Sequence, residues 1–113
     1  MKTDIFNKVI DDQIEKCHNV LVGKAKEYAD NANDDRLHNF KNAGGMMSES
    51  PRSALAGMMA KHTISIYDMC KSQENYPIAL WEEKITDHIN YLLLLKAVVV
   101  EEKLEQNGGV IDG

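Results

Sequence analysis

Apolar residues in this chain recur at three, four and seven positions, and no stretch alternates residue by residue, so the pattern predicts helices and no competing strand. Phe6, Ile10, Ile14, Cys17, Leu21 and Tyr28 fall on one side of a helix expected over 5–29. A second long helix is expected to open at Ser50, a good N-cap, with Pro51 at the first helical position, where its missing amide hydrogen costs nothing. It should run to about Lys71, with Leu55, Met59, His62, Ile66 and Met69 on its apolar side and Lys61, Ser65 and Asp68 on a separate polar stripe. A third long helix is expected from Ile78 to about Glu105. Between the first two, Asp34 or Asp35 can cap a short piece, Arg36 to Ala43, which Gly44 and Gly45 should end as a left-handed C-cap. Gly23 and Gly57 stand alone inside helices, where close helix packing is the simple account.

These elements predict an all-α fold: a compact bundle of three long helices plus one short helix, in a single domain over 1–106 with a flexible tail over 107–113. The middle of the third long helix, Ile89 to Leu95 and Ala97 to Val100, is apolar nearly all round and needs neighbours on several sides. Two flanking helices leave part of that circumference open. The expectation is a homo-oligomer, a dimer or higher, with the bundle completed across the interface.

Charge and cysteine content narrow the function classes. Thirteen basic and 18 acidic residues give a net charge of -5, which argues against nonspecific binding to a nucleic acid polymer but leaves room for a small anionic ligand. Cys17 and Cys70 are too few for a disulfide framework or a zinc knuckle and suit a reducing compartment. The longest apolar run, Ile89 to Val100, is broken by Asn90 and Lys96 and falls short of the ~20 residues that cross a bilayer. With no basic and apolar leader, the expectation is a cytoplasmic protein without a membrane partner.

Polar residues on the helices supply the candidate chemistry. Glu83, Asp87 and Asn90 share a line that continues into Leu94 and Val98, so the carboxylates border a core and need a cation, a metal or a hydrogen-bond donor. Salt bridges to lysines or Arg36 would satisfy them without any function, and two carboxylates one turn apart can equally hold magnesium. Lys24, Lys26 and Glu27 close the first helix, and Arg36, His38, Asn39 and Phe40 follow in the short piece. Such runs also occur as plain solvated helix ends. Here, however, Lys61, His62, Ser65 and Asp68 come from the second long helix and Glu83, Asp87 and Asn90 from the third, near one level of a bundle, where bundles place ligand sites. His62 by itself reads first as a core histidine, and no Ser-His-Asp, Cys-His or glycine-rich phosphate loop is present.

Four ordered blocks carry a resemblance: Lys26-Glu27-Tyr28; Asp35-Arg36-Leu37-His38-Asn39-Phe40; Gly57-Met58 with Lys61-His62 and Asp68; and Trp81-Glu82-Glu83-Lys84-Ile85 with Asp87 and Asn90-Tyr91-Leu92. Together, from about Ile14 to Glu102, they resemble the small phage and prophage proteins called nucleotide modification associated domain 1. The resemblance implies a topic, nucleotide metabolism, and no particular reaction. More distantly, the layout is similar to the MazG-like and dimeric dUTPase-like nucleoside triphosphate pyrophosphohydrolases, which pair Glu-x-x-Glu on one helix with Glu-x-x-Asp on another to hold magnesium. The first of those motifs is absent here, and the second is stretched to four residues between Glu83 and Asp87.

Two ligand readings follow. In the first, a phage-type protein holds a nucleotide or nucleotide-derived signal between helices and keeps it from other proteins, an anti-defence role that needs no cofactor. Its ligand set would be Lys24, Lys26, Glu27, Tyr28, Arg36, His38, Asn39, Phe40, Lys61, His62, Ser65, Asp68, Trp81, Glu83, Asp87 and Asn90: cations for phosphates, acceptors for ribose or base edges, and Tyr28, Phe40 or Trp81 for stacking. In the second, a magnesium-dependent pyrophosphohydrolase uses Glu27, Glu83 and Asp87 as metal ligands in the cytoplasm of a bacterial host cell. A third reading makes the chain a protein-interaction module whose polar set is structural.

Overall fold

A computed structural model of the chain describes residues 1–27, 35–46 and 49–108, without the side chains of 24–27. Four helices follow one another: α1 (Thr3–Glu27), α2 (His38–Met46), α3 (Pro51–Lys71) and α4 (Ile78–Gln106), with no strand among the described residues. The all-α reading with three long helices and one short one holds. The bundle is nevertheless less compact than expected, with a radius of gyration of 16.9 Å against about 13 Å for a folded chain of this length. Among the described residues no helix is long and apolar enough to cross a membrane.

Local chemistry explains most helix ends. Ser50 sits in extended conformation, and its Oγ accepts a hydrogen bond from the Ser53 backbone N–H at 3.1 Å, with Pro51 opening α3 as expected. Pro77 marks the start of α4, and Gly108, at φ 62°, stands just past its end. At the entry to α2, Asp35 Oδ1 accepts from the Leu37 N–H at 3.0 Å and its carbonyl accepts from the His38 N–H.

Two glycine expectations fail. Gly44 and Gly45 lie within α2, which continues to Met46, so they do not stop the helix as a left-handed cap. Gly44 is buried where the chain folds back: a Cβ there would come within 2.5 Å of the Glu49 carbonyl oxygen, and that carbonyl's own residue donates its N–H to Gly44 O. The glycine serves a close backbone approach. Gly23 and Gly57, expected at close helix contacts, face open space instead, with nothing within 4 Å of a built Cβ.

The core forms where α2, α3 and α4 meet. Leu37, Phe40, Leu55 and Val98 are buried together, with Tyr91, Leu94 and Leu95 packed against them. On α3, Leu55 and Met69 are fully inside and Met59, His62 and Ile66 half-buried, as the apolar side predicts. On α1 the outcome differs: of the described members of its stripe only Cys17 is buried, while Phe6, Ile10 and Ile14 stand exposed. Two polar links hold α1 to α4, Gln13 Nε2 donating to the buried Thr86 Oγ1 at 2.9 Å and Lys16 pairing with Glu82 at 2.9 Å.

Lys41 ties the start of α2 to α4. Its Nζ reaches Asp35 Oδ2 at 2.6 Å and Glu101 Oε1 at 2.5 Å. The hydrogen bond from Lys41, seconded by that from the Leu37 N–H, holds the Asp35 carboxyl below its ordinary value of 3.8, and the two carboxylates, Asp35 first, hold Lys41 above its ordinary value. A depressed Asp35 contributes stability above pH ~4 that is lost as pH falls through its folded value.

Two outcomes test this account. Leu55→Ala should cost about 2–5 kcal/mol in chemical denaturation, because Leu55 is 0% exposed, whereas Ile64→Ala, at a 61% exposed site, should stay within about 0.5 kcal/mol. Thermal melts of Lys41→Met should lie below wild type at pH 7, and the gap should narrow as pH falls through the depressed folded value of Asp35.

Candidate functional site

All four helices contribute to one cleft of about 390 Å³, within the size range of small-molecule sites. Val20 and Leu21 come from α1, Arg36 from the approach to α2, Asn39 and Phe40 from α2, His62 from α3, and Asp87, Asn90, Tyr91 and Leu94 from α4. Thus six of the sequence-derived candidates, Arg36, Asn39, Phe40, His62, Asp87 and Asn90, share one cavity wall. Four lining residues were not among them: Val20, Leu21, Tyr91 and Leu94. Tyr91 and Leu94 had a signal, since they stand four and seven residues beyond Asp87 and so on its face of the helix.

The cleft holds its polar groups in unequal states. Arg36 is positioned: one guanidinium nitrogen donates to the Leu21 carbonyl at 2.9 Å, which closes α1 onto the segment before α2. That bond occupies one of five N–H donors and leaves the charge available at an exposed position. Asp87 is half-buried and makes no ion pair or hydrogen bond among the described residues. Neither do lysines or Arg36 neutralise Glu83 among the described residues, so the purely structural salt bridges do not form among them; the side chains of Lys24 and Lys26 lie outside that set.

Asn90 is only 6% exposed, and its Oδ1 is buried without a hydrogen-bond partner. His62 Nδ1 is in the same condition, with its ring set against Tyr91 at 4.7 Å between centroids and 51° between planes. Buried polar atoms are nearly always paired, and each orphan costs about 1–3 kcal/mol. Two such atoms bordering one cleft, beside an unpaired carboxylate, mark a place where the fold tolerates a loss of stability.

The remaining candidates lie elsewhere. Lys61 lines a second cleft, of about 630 Å³, with Glu49, Ser53, Gly57 and Met58; His62 and Tyr91 form the wall common to both clefts. Ser65 is half-buried and Asp68 exposed, and neither lines either cleft. His38 is exposed, with its Nε2 2.9 Å from Asn42 Nδ2. Trp81 is half-buried with its ring edge-on to Tyr76 at 6.0 Å, away from the cleft. Glu83 is exposed and off the cleft wall. The side chains of Lys24, Lys26 and Glu27, and the whole of Tyr28, lie outside the described residues. Among the described residues no group of three His, Cys, Asp or Glu side chains converges as metal ligands would; the set of Glu27, Glu83 and Asp87 falls partly outside them.

Compared with protein-family models, curated proteins and solved structures, the chain matches none.

The orphaned amide gives a direct test. Asn90→Leu removes the unpaired oxygen and adds apolar contact at nearly the same shape, so it should melt at or above the wild-type temperature, where an ordinary buried and hydrogen-bonded asparagine would lose stability on the same change.

Proposed function

We propose that this protein binds a nucleotide or nucleotide-derived signalling molecule in the cleft shared by its four helices and sequesters it, in the manner of a phage protein that withholds a signal from host defence. The observation that carries the reading is the mixture in that cleft: a guanidinium at the wall, an unpaired half-buried carboxylate, two orphaned buried polar atoms, and two aromatic rings. A nucleotide is anionic at one end, rich in donors at its ribose and base edge, and flat. Each part answers one of those features.

In this reading Arg36 takes the phosphate through its free N–H donors. Asp87 accepts hydrogen bonds from ribose hydroxyls or a base edge, with Asn90 and Asn39 beside it. Phe40 and Tyr91 give the base an apolar surface. The overall charge of -5 does not oppose this, because the ligand is small and the cation is local. The four sequence blocks that resemble nucleotide modification associated domain 1 point to the same class of ligand, and three of them contribute residues to the cleft.

The experiment is to incubate the purified protein with a panel of nucleotides and cyclic nucleotide signals, with and without magnesium, then denature it and identify what is released. Intact ligand, released without a magnesium requirement, is expected. Release of a monophosphate and pyrophosphate would establish magnesium-dependent hydrolysis instead, and no binding at all would sink both. Asp87→Asn and Arg36→Ala should each weaken binding roughly tenfold or more, the worth of a charge-assisted hydrogen bond. Lys61→Ala, across the His62–Tyr91 wall, should weaken it less.

A further inference from the structure

The first half of α1 carries an apolar face that nothing among the described residues covers. Residues 1–12 are all exposed, and Ile5, Phe6, Val9, Ile10 and Ile14 remain 42–62% exposed. They extend the helical face on which Gln13 and Cys17 meet the rest of the bundle, so they lie on a bundle-facing side with no bundle opposite. Lys8, Asp11 and Glu15 fall off that face; Asp12, paired with Lys8, borders it beside Ile5, and Lys2 precedes it by a turn. On α4, Ile78, Ile85 and Leu92 recur at intervals of seven and are exposed as well.

The amount of surface says what size of partner is missing. The chain exposes 8579 Å², about 2,300 Å² more than the roughly 6,200 Å² expected for a folded monomer of its 12.7 kDa mass. A stable protein–protein interface takes about 800 Å² from each partner, and obligate homodimers take more. The surplus is large enough to supply one such interface per chain.

We infer that the Ile5–Ile14 face of α1 is the docking surface for a second copy of this chain, in a two-fold dimer where the same face of both copies meets. A face whose centre is apolar offers little that selects a charged partner, and a two-fold axis lets one apolar patch satisfy itself. The helix is already placed for this role, since Gln13–Thr86 and Lys16–Glu82 fix α1 against α4 just beyond the exposed turns. The same helix supplies Val20 and Leu21 to the cleft, so docking on its first half steadies a wall of the candidate site. The dimer stands on this surface alone and does not depend on the identity of any ligand.

Light scattering on the full chain after size exclusion, across micromolar to hundreds-of-micromolar loading, tests it. Wild type should run at twice 12.7 kDa, and Phe6→Glu/Ile10→Glu should run at 12.7 kDa with its helical circular dichroism retained. Val9→Arg, a single change on the same face, should weaken self-association at least tenfold and decides the matter if the double variant does not fold. Ile64→Glu, exposed on α3, should leave the dimer intact. A monomeric wild type, a dimer indifferent to the α1 changes while they remain folded, or dissociation by Ile64→Glu alone would overturn the inference.

Discussion

A helix of 29 residues whose middle, Ile89 to Val100, is apolar nearly all round needs more neighbours than a chain of 113 residues supplies. That shortage organises the rest of the molecule. α4 is about 43 Å long, while α3, at 21 residues, is about 31 Å long and α2, at 9 residues, much shorter. The three helices have one place where all can bury apolar groups together, and there Leu55 and Val98 are sealed by Leu37 and Phe40. Away from that point α4 is served on some sides and bare on others. Leu92 and Leu93 stand exposed in the middle of its most hydrophobic stretch, in a run whose composition alone would place them in a core.

The sequence discloses which face of a helix a residue occupies much better than the level at which a neighbour arrives. Ser50-Pro51 and the Leu55-to-Met69 side were legible because caps and periodicity are local properties. Asp87 and Asn90 were legible for the same reason, since their line runs into Leu94 and Val98. Glu83 shares that line but lies a turn before Asp87, at a level on the helix axis where it faces solvent although α1 reaches Glu82 beside it. Helical spacing carries no information about that axial distance. Gly44 misled for a related reason: two glycines in a row read as a stop, yet the requirement came from Glu49 folding back onto the helix, a contact made by residues outside it. Phe6, Ile10 and Ile14 were placed correctly on one side of α1, but periodicity could not say that none of the described residues packs there.

The candidate cleft lies at the edge of the well-packed region, which suits a site that must be both positioned and incomplete. Phe40 belongs to the core cluster and to the cleft wall at once, and Tyr91 and Leu94 pack on that cluster from the other side. Their rigidity is borrowed from Leu55. Of the three buried side-chain atoms without a partner among the described residues, His88 Nδ1 lies off the cleft wall, and Asn90 and His62 carry the other two. An apolar pair at those positions would make a tighter bundle, so the sequence retains a local cost of about 1–3 kcal/mol per orphan in a protein with little stability to spare. On the proposed reading, polar groups kept at that expense beside a cavity await a ligand that would bring the missing partners.

The two gaps in this fold, the bare face of α1 and the open cleft, meet on the same helix. α1 has few ties to the bundle: the Gln13–Thr86 hydrogen bond, the exposed Lys16–Glu82 pair and the Arg36 donation to Leu21 O are the polar ones among the described residues. An exposed pair such as Lys16–Glu82 is worth about 0–1 kcal/mol, too little to fix a helix of 25 residues by itself. Burying Ile5, Phe6, Val9, Ile10 and Ile14 against a second copy would add far more, at about 1.5–3 kcal/mol for each large side chain fully removed from water. Arg36 transmits that order to the site, because the carbonyl it grips belongs to a residue of the cleft wall. Association and ligand capture then draw on one element: whatever steadies α1 from its first turns also holds Leu21, and through it the guanidinium that would meet the phosphate.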